Sequence, residues 1–352
     1  GKSMRQIAAP LPPKKNASKK RGKAKSALHP MPRFVEPMKA KLASHPPPGK
    51  WLYEIKFDGW RALALKSGTT AQLFSRNHKE LSAKFPEIVD ALGNLPGKDA
   101  ILDGEIVAVD GTGRSSFQLL QAYDIGTERP PLLYYVFDLL QFDGHDLTTL
   151  PLMERKAALE KLLRKQTGII RYSASLGHDG TELMEKARQL NIEGLIGKRP
   201  DSLYEAGSRS GAWIKLKIHQ EQEFVIGGYT DPGGSRQSFG SIIVGYYAGK
   251  NLMAAGKVGT GFDRALLGSL QARFEKAASR DCPFANLPAG ERGKWGQGIT
   301  AADMKRCHWL KPRLVCQVKF SEWTRDGRLR QPVFLGLRPD KKAAEVIREI
   351  PV

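Results

Sequence analysis

The chain has 352 residues, of which 41% are hydrophobic and 8% aromatic, a balance that fits about two globular domains and excludes a fibrous or wholly disordered protein. No apolar run approaches the roughly 18 to 20 residues needed to cross a bilayer and no signal peptide is legible, so a cytoplasmic protein with no membrane partner is expected. A formal net charge of +20 points to a polyanionic partner, nucleic acid first.

Residues 1–33 hold ten Lys or Arg and no acid, which leaves about +10 on the remainder. Their mixture of Lys, Pro, Ala and Ser, as in PLPPKKNASKKRGKAK, lacks apolar periodicity and predicts a disordered basic tail or linker. The first residue is Gly1 rather than Met, and the expectation is a piece of a longer polypeptide.

From 34 to 220 short β-rich runs alternate with helical ones. LYEIKF, TAQLFSR, AILDGEIVAV, LLYYVFDLL, GLIGKR and WIKLKI read as strands. PLMERKAALEKLLRKQ and GTELMEKARQL have helical spacing. The predicted class is α+β, with a mixed domain built on antiparallel sheets. From 221 to 352, EFVIGGYT, SIIVGYYAG, NLMAAGKVG, LVCQVKFSEWT and VFLGLR are short strands with one helix near DRALLGSLQARFEKAA, which predicts a small β-barrel of the OB type. Cys282, Cys307 and Cys316 are too irregularly spaced for a disulfide framework or a zinc site.

The run Glu54-Ile55-Lys56-Phe57-Asp58-Gly59, read as a strand, puts its three charged residues on one face, so that Lys56 is framed by two carboxylates. Alternation alone describes a salt-bridged surface lysine equally well. A nucleophilic amine of ordinary pKa ~10.4 is only about 0.1% neutral near pH 7.4, and neighbouring carboxylates make this worse. Burial, nearby cations or a metal that neutralises the carboxylates must supply the opposite shift.

The run Lys56-Phe57-Asp58-Gly59, followed by Arg61, resembles the Lys-x-Asp-Gly signature of covalent nucleotidyltransferases, the superfamily of ATP-dependent DNA ligases, RNA ligases and capping enzymes. Further pieces follow in the family's order. Ser75-Arg76 resembles the motif whose arginine meets the DNA 5′-phosphate, and Asp103-Gly104-Glu105 the motif whose glutamate contacts the ribose. Phe137, in Tyr134-Tyr135-Val136-Phe137-Asp138, corresponds to the residue against the adenine ring. Glu193-Gly194-Leu195-Ile196-Gly197-Lys198 resembles the Glu-Gly-x-x-x-Lys motif, whose glutamate binds the divalent metal. Trp213-Ile214-Lys215-Leu216-Lys217 resembles the segment whose two lysines hold the α-phosphate, preceded by Arg209-Ser210. Arg338-Pro339-Asp340-Lys341 resembles the C-terminal motif that orients pyrophosphate.

The resemblance implies an ATP-dependent DNA ligase, with a nucleotidyltransferase (adenylation) domain before the OB domain. It implies Lys56, Asp58, Lys215 and Lys217 as catalytic. Glu54, Ile55, Arg61, Glu105, Phe137, Lys198, Arg338, Asp340 and Lys341 join Lys56, Lys215 and Lys217 as nucleotide-binding, and Arg76 and Arg209 are implied as DNA-binding. Asp58, Glu105 and Glu193 would hold Mg²⁺ or Mn²⁺, whose preference is for carboxylate oxygen. Within the family, VEPMKAKLASHPP, VFDLLQFDGHDL with PLMERK, and TRDGRLRQPVFLGLRPDKKAAEV are most similar to the ligase domain of the bacterial end-joining enzyme ligase D. Only 55 residues precede Lys56, fewer than the large helical DNA-encircling domain of replicative ligases. Trp60, where Tyr is expected, and Gln331, where His is common, depart from that subfamily. The implied partners are nicked or broken duplex DNA, fused polymerase and nuclease modules or an end-binding protein, acting on a monomer. An RNA ligase or capping-type enzyme, and a noncatalytic DNA-binding module, are the alternatives. The second leaves Glu54, Glu105 and Glu193 without a purpose, since carboxylates repel DNA.

Overall fold

The computed structural model describes residues 30–190, 192–218, 220–232, 238–288 and 299–350. It divides into two compact units, the first ending at Ile218 and the second at Ile350. The basic tail lies outside the described residues up to position 29. Met31 and Phe34 already pack against the cluster of Met38, Leu63, Leu65 and Trp213.

The first unit is built on two sheets. The larger has the order β4-β3-β5-β6-β7, from β3 (Trp60–Ser67), β4 (Thr70–Ser75), β5 (Asp99–Ala108), β6 (Leu132–Phe142) and β7 (His145–Asp146), all antiparallel; β8 (Ile170–Tyr172) adds in parallel to β6. The smaller has the order β1-β10-β9-β2, from β1 (Lys41–Ala43), β2 (Leu52–Ile55), β9 (Gly194–Lys198) and β10 (Trp213–Lys217). Register assigns its faces. Tyr53, Leu195, Ile214 and Leu216 share one side with Ala43 and form a core with Leu183, Met184 and Ala187 of α4 (Gly180–Gln189). The opposite side carries Glu54, Lys198, Trp213, Lys215 and Lys217. That division lets a five-residue strand be core and site at once.

Helix α4 starts where Asp179 accepts from the N–H groups of Thr181 and Glu182, the side-chain cap that a helix N-terminus needs. Helices α1 (Pro86–Gly93) and α2 (Phe117–Ile125) and the strand Trp60–Ser67 were not among the expected elements. The last is buried on both faces, so it lacks the alternation that reveals a half-exposed strand.

In the second unit the sheet has the order β13-β12-β11-β15-β14, from β11 (Gln220–Thr230), β12 (Ile242–Ala248), β13 (Asn251–Val258), β14 (Ala278–Ser279) and β15 (Cys307–Phe320), with β18 (Val333–Leu337) also on β15. A hairpin of β16 (Glu322–Trp323) and β17 (Leu329–Arg330) precedes β18. Phe224, Ile226, Val244, Phe274 and Phe334 lead its core, to which α5 (Arg264–Ala277) contributes Leu270 and Phe274. The expected five strands and helix are present, but among the described residues the barrel does not close. β13 ends at Val258, and beyond it the Phe334 N–H donates to the Thr260 carbonyl at 2.9 Å and the Thr260 hydroxyl to the Pro332 carbonyl at 3.1 Å.

Substituting Asp179→Ala should lower the unfolding free energy by about 1 kcal/mol in a urea titration. The site face should be left intact.

Candidate active site

The segment around Lys56 differs from the expected strand. β2 ends at Ile55, and Lys56 to Gly59 form a bend leading into β3. Three contacts fix this bend. The Lys56 N–H donates to the Gly194 carbonyl at 2.9 Å, the Phe57 ring stacks on Tyr135 at 4.1 Å and 14°, and Asp58 Oδ2 accepts from the Phe117 N–H at 3.3 Å. Gly59 is required here, because a Cβ would lie 2.2 Å from the Ile106 carbonyl oxygen.

The regular strand thus stops one residue short of Lys56. The Lys56 amine pairs with Glu193 Oε1, and not with Glu54. Gly194, at φ +152°, is required after Glu193, because a Cβ there would lie 2.0 Å from the Leu216 carbonyl oxygen. The carboxylates of Asp58 and Glu193 have oxygens within 4.8 Å of each other. Burial pushes the Lys56 ammonium pKa down, but Glu193, with Asp58 and Glu105, more than offsets it, so the amine stays above its ordinary range. Its charged form is thereby stabilised.

Glu54 is sealed inside, 1% exposed. Its Oε1 accepts from Lys156 Nζ at 2.7 Å, and its Oε2 from Lys198 Nζ and the Ser173 hydroxyl, both at 3.1 Å. Burial raises its pKa, yet Lys156 and Lys198 together hold it below the usual carboxylate range. Lys198 also donates to the Phe137 carbonyl at 3.3 Å and stands 4.7 Å from the Phe137 ring and 4.4 Å from the Trp213 ring. Phe137 and Trp213 meet edge to face at 6.1 Å and 80°, forming an aromatic wall of two rings nearly at right angles. Burial dominates at Lys198, whose pKa is pushed down to about 8, because Glu54 is shared with Lys156.

Arg61 and Glu105 stand opposite each other in β3 and β5. Arg61 is held by Asp103, at 2.9 and 2.5 Å, and by the Met38 carbonyl at 2.6 Å, and the Tyr204 hydroxyl donates to Asp103 at 2.7 Å. Lys215 and Lys217 lie half-buried on the site face of β10. Arg76 follows β4 half-buried, and Arg209 is exposed. Arg338, Asp340 and Lys341 belong to the second unit, where Asp340 grips Arg338 through two 2.9 Å bonds and Glu223 pairs with Lys341 at 2.8 Å.

Lys156, Ser173, Trp213 and Tyr204 had no assigned role in the sequence. A signal was present for the first. Leu152, Arg155, Lys156, Leu159, Leu162 and Leu163 are the buried face of α3 (Leu152–Leu163), and two of those core positions carry charge. Arg155 uses it on both oxygens of Asp138, at 2.8 and 2.9 Å.

A metal fits this donor set. Glu193 Oε2 is buried with no hydrogen-bond partner among the described residues, and Asp58 adds a second carboxylate nearby. Below about pH 8 folding must bury the Lys198 charge; between there and its unfolded pKa of ~10.4 the unfolded chain binds more protons. The stability of the wild type relative to Lys198→Met should therefore rise from pH 8 to 10. Equilibrium unfolding at each pH measures it, and a flat difference contradicts the assignment.

Comparison with known proteins follows these lines. Residues 32–217 match the ATP dependent DNA ligase domain model, and 235–341 match the ATP dependent DNA ligase C terminal region. The multifunctional non-homologous end joining protein LigD of Pseudomonas aeruginosa is 40% identical over 337 residues, covering 94% of this chain and 38% of that protein. The LigD non-homologous end joining DNA repair protein of Mycobacterium tuberculosis is 35% identical over 301 residues, covering 85% and 38%. The chain thus spans well under half the length of these relatives. The solved structure of mycobacterial DNA ligase D complexed with ATP and MES superposes with a TM-score of 0.63 at 32% identity, covering 90% of this chain and 98% of that one.

Proposed function

Because this chain belongs to the ATP-dependent DNA ligase family, we propose that it seals 5′-phosphate/3′-hydroxyl breaks in duplex DNA through a lysyl-AMP formed on Lys56. The observation that carries this reading is the Lys56 amine paired with Glu193 and within the fields of Asp58 and Glu105.

The Lys56 Nζ forms a bond to the α-phosphorus of ATP as the bond to pyrophosphate breaks, and the amine loses its protons. The purine lies against Phe137, bordered by Ile55 and Lys198, with Arg61 and Glu105 toward the ribose. Lys215 and Lys217, directed alike by strand alternation, stabilise charge on the α-phosphate. Arg338, Asp340 and Lys341 orient the pyrophosphate. Glu193 and Asp58, with Glu105, would hold Mg²⁺ or Mn²⁺, which when bound supplies the positive charge that offsets these carboxylates and favours the neutral amine. AMP then passes to the DNA 5′-phosphate, held by Arg76 and Arg209, and the 3′-hydroxyl displaces it to form the phosphodiester.

The biological setting we infer is end joining within a larger polypeptide that carries polymerase and nuclease modules, acting as a monomer in the bacterial cytoplasm. The support is the likeness to LigD proteins over 38% of their length. Among the described residues no helix is long and apolar enough to cross a membrane.

Incubation with labelled ATP and Mg²⁺ or Mn²⁺ should give a covalent adduct of one AMP by intact mass, and Lys56→Ala should give none. Labelling from GTP instead would redirect the reading to capping chemistry, and sealing of nicked RNA but not DNA to an RNA ligase. A protein that binds DNA without ever taking up AMP would be a binding module.

A further inference from the structure

Lys156 is an ammonium group buried in the core, 3% exposed, with no part in the chemistry above. It donates to Glu54 Oε1 at 2.7 Å and to the Ser173 carbonyl at 2.8 Å, and lies 4.7 Å from the Tyr172 ring. A charge in such a place is costly unless its partners are good, and apolar side chains would fill the position with less penalty. Its partner is already in use, since Glu54 also serves Lys198. The other acid close by, Asp138, gives both oxygens to Arg155. Three buried cations therefore face two carboxylates, and the ammonium left with the smaller share of an anion is Lys198, which instead spreads its contacts over the Phe137 carbonyl and the Phe137 and Trp213 rings.

We propose that Lys156 is a positioning residue for the nucleotide pocket: by occupying one oxygen of Glu54 it keeps Lys198, itself 1% exposed, on the Phe137 carbonyl and ring, and so sets that ring for a purine. Without the Lys156 charge, Lys198 becomes the sole cation paired with Glu54 and is drawn toward it and off the rings. Helix α3 thus adjusts the pocket without touching the ligand. The proposal rests on the ligase reading, in which Phe137 and Lys198 face the base.

The experiment is the ATP dependence of lysyl-AMP formation in the full chain, with active sites titrated. Lys156→Met should raise KM for ATP about tenfold, the size of one charge-assisted hydrogen bond, with kcat held within about twofold. Lys156→Arg, which keeps the charge, should restore KM. Lys156→Gln, which keeps a donor without charge, should behave as the Met variant; if Met does not fold, the Gln and Arg pair decides alone. An unchanged KM in Met, a wild-type KM in Gln, or a fall in the active fraction with KM unaltered would each overturn the proposal. If wild type itself takes up no AMP, the ligase reading fails first, so the two failures are separable.

Discussion

The ion pair of Lys56 with Glu193 is the interaction around which the rest of the first unit is arranged. A nucleophilic amine has to reach its reactive neutral form, yet in the protein alone this one is surrounded by acids that hold it charged. The contradiction resolves if the carboxylates are not primarily the lysine's partners. Hard oxygen donors, one of them buried without a hydrogen bond among the described residues, suit a divalent cation, and a cation there reverses the sign of the local field.

The sheets explain why residues so distant in sequence converge. Lys56, Glu193 and Lys215 come from three segments whose strands are hydrogen-bonded neighbours in one small sheet, with α4 sealing its other side. Alternation does the sorting: in β10 the apolar residues Ile214 and Leu216 face α4 while Lys215 and Lys217 face the site. The larger sheet delivers Glu105 and Phe137 from β5 and β6. Membership of the ATP-dependent DNA ligase family is consistent with both sheets.

Much of this was legible beforehand, and the exceptions have physical causes. Strand alternation correctly put Lys215 and Lys217 together, and the apolar spacing of GTELMEKARQL marked α4. The same rule put Glu54 and Lys56 toward the site but could not give their partners, because the strand stops at Ile55 and Gly59 permits a bend that periodicity cannot register. Glu54 consequently faces Lys156 and Lys198 while Lys56 faces Glu193. Those partnerships join residues more than 100 positions apart, and no local pattern encodes them. The open edge of the second unit's sheet was equally hidden, since strand count and turn chemistry do not reveal whether the first and last strands form a ladder.

The stacking of Phe57 on Tyr135 gives the variable position of Lys-x-Asp-Gly a purpose of its own. With the main chain of Lys56 and the side chain of Asp58 also tied down, the loop has already surrendered its conformational freedom when the protein folds. An incoming substrate therefore meets a preorganised backbone and need not immobilise it, so more of its binding free energy remains for bringing reactants into line. A flat ring serves that end better than a flexible side chain of equal hydrophobicity, because it fixes the approach of the lysine while adding few rotamers to be lost.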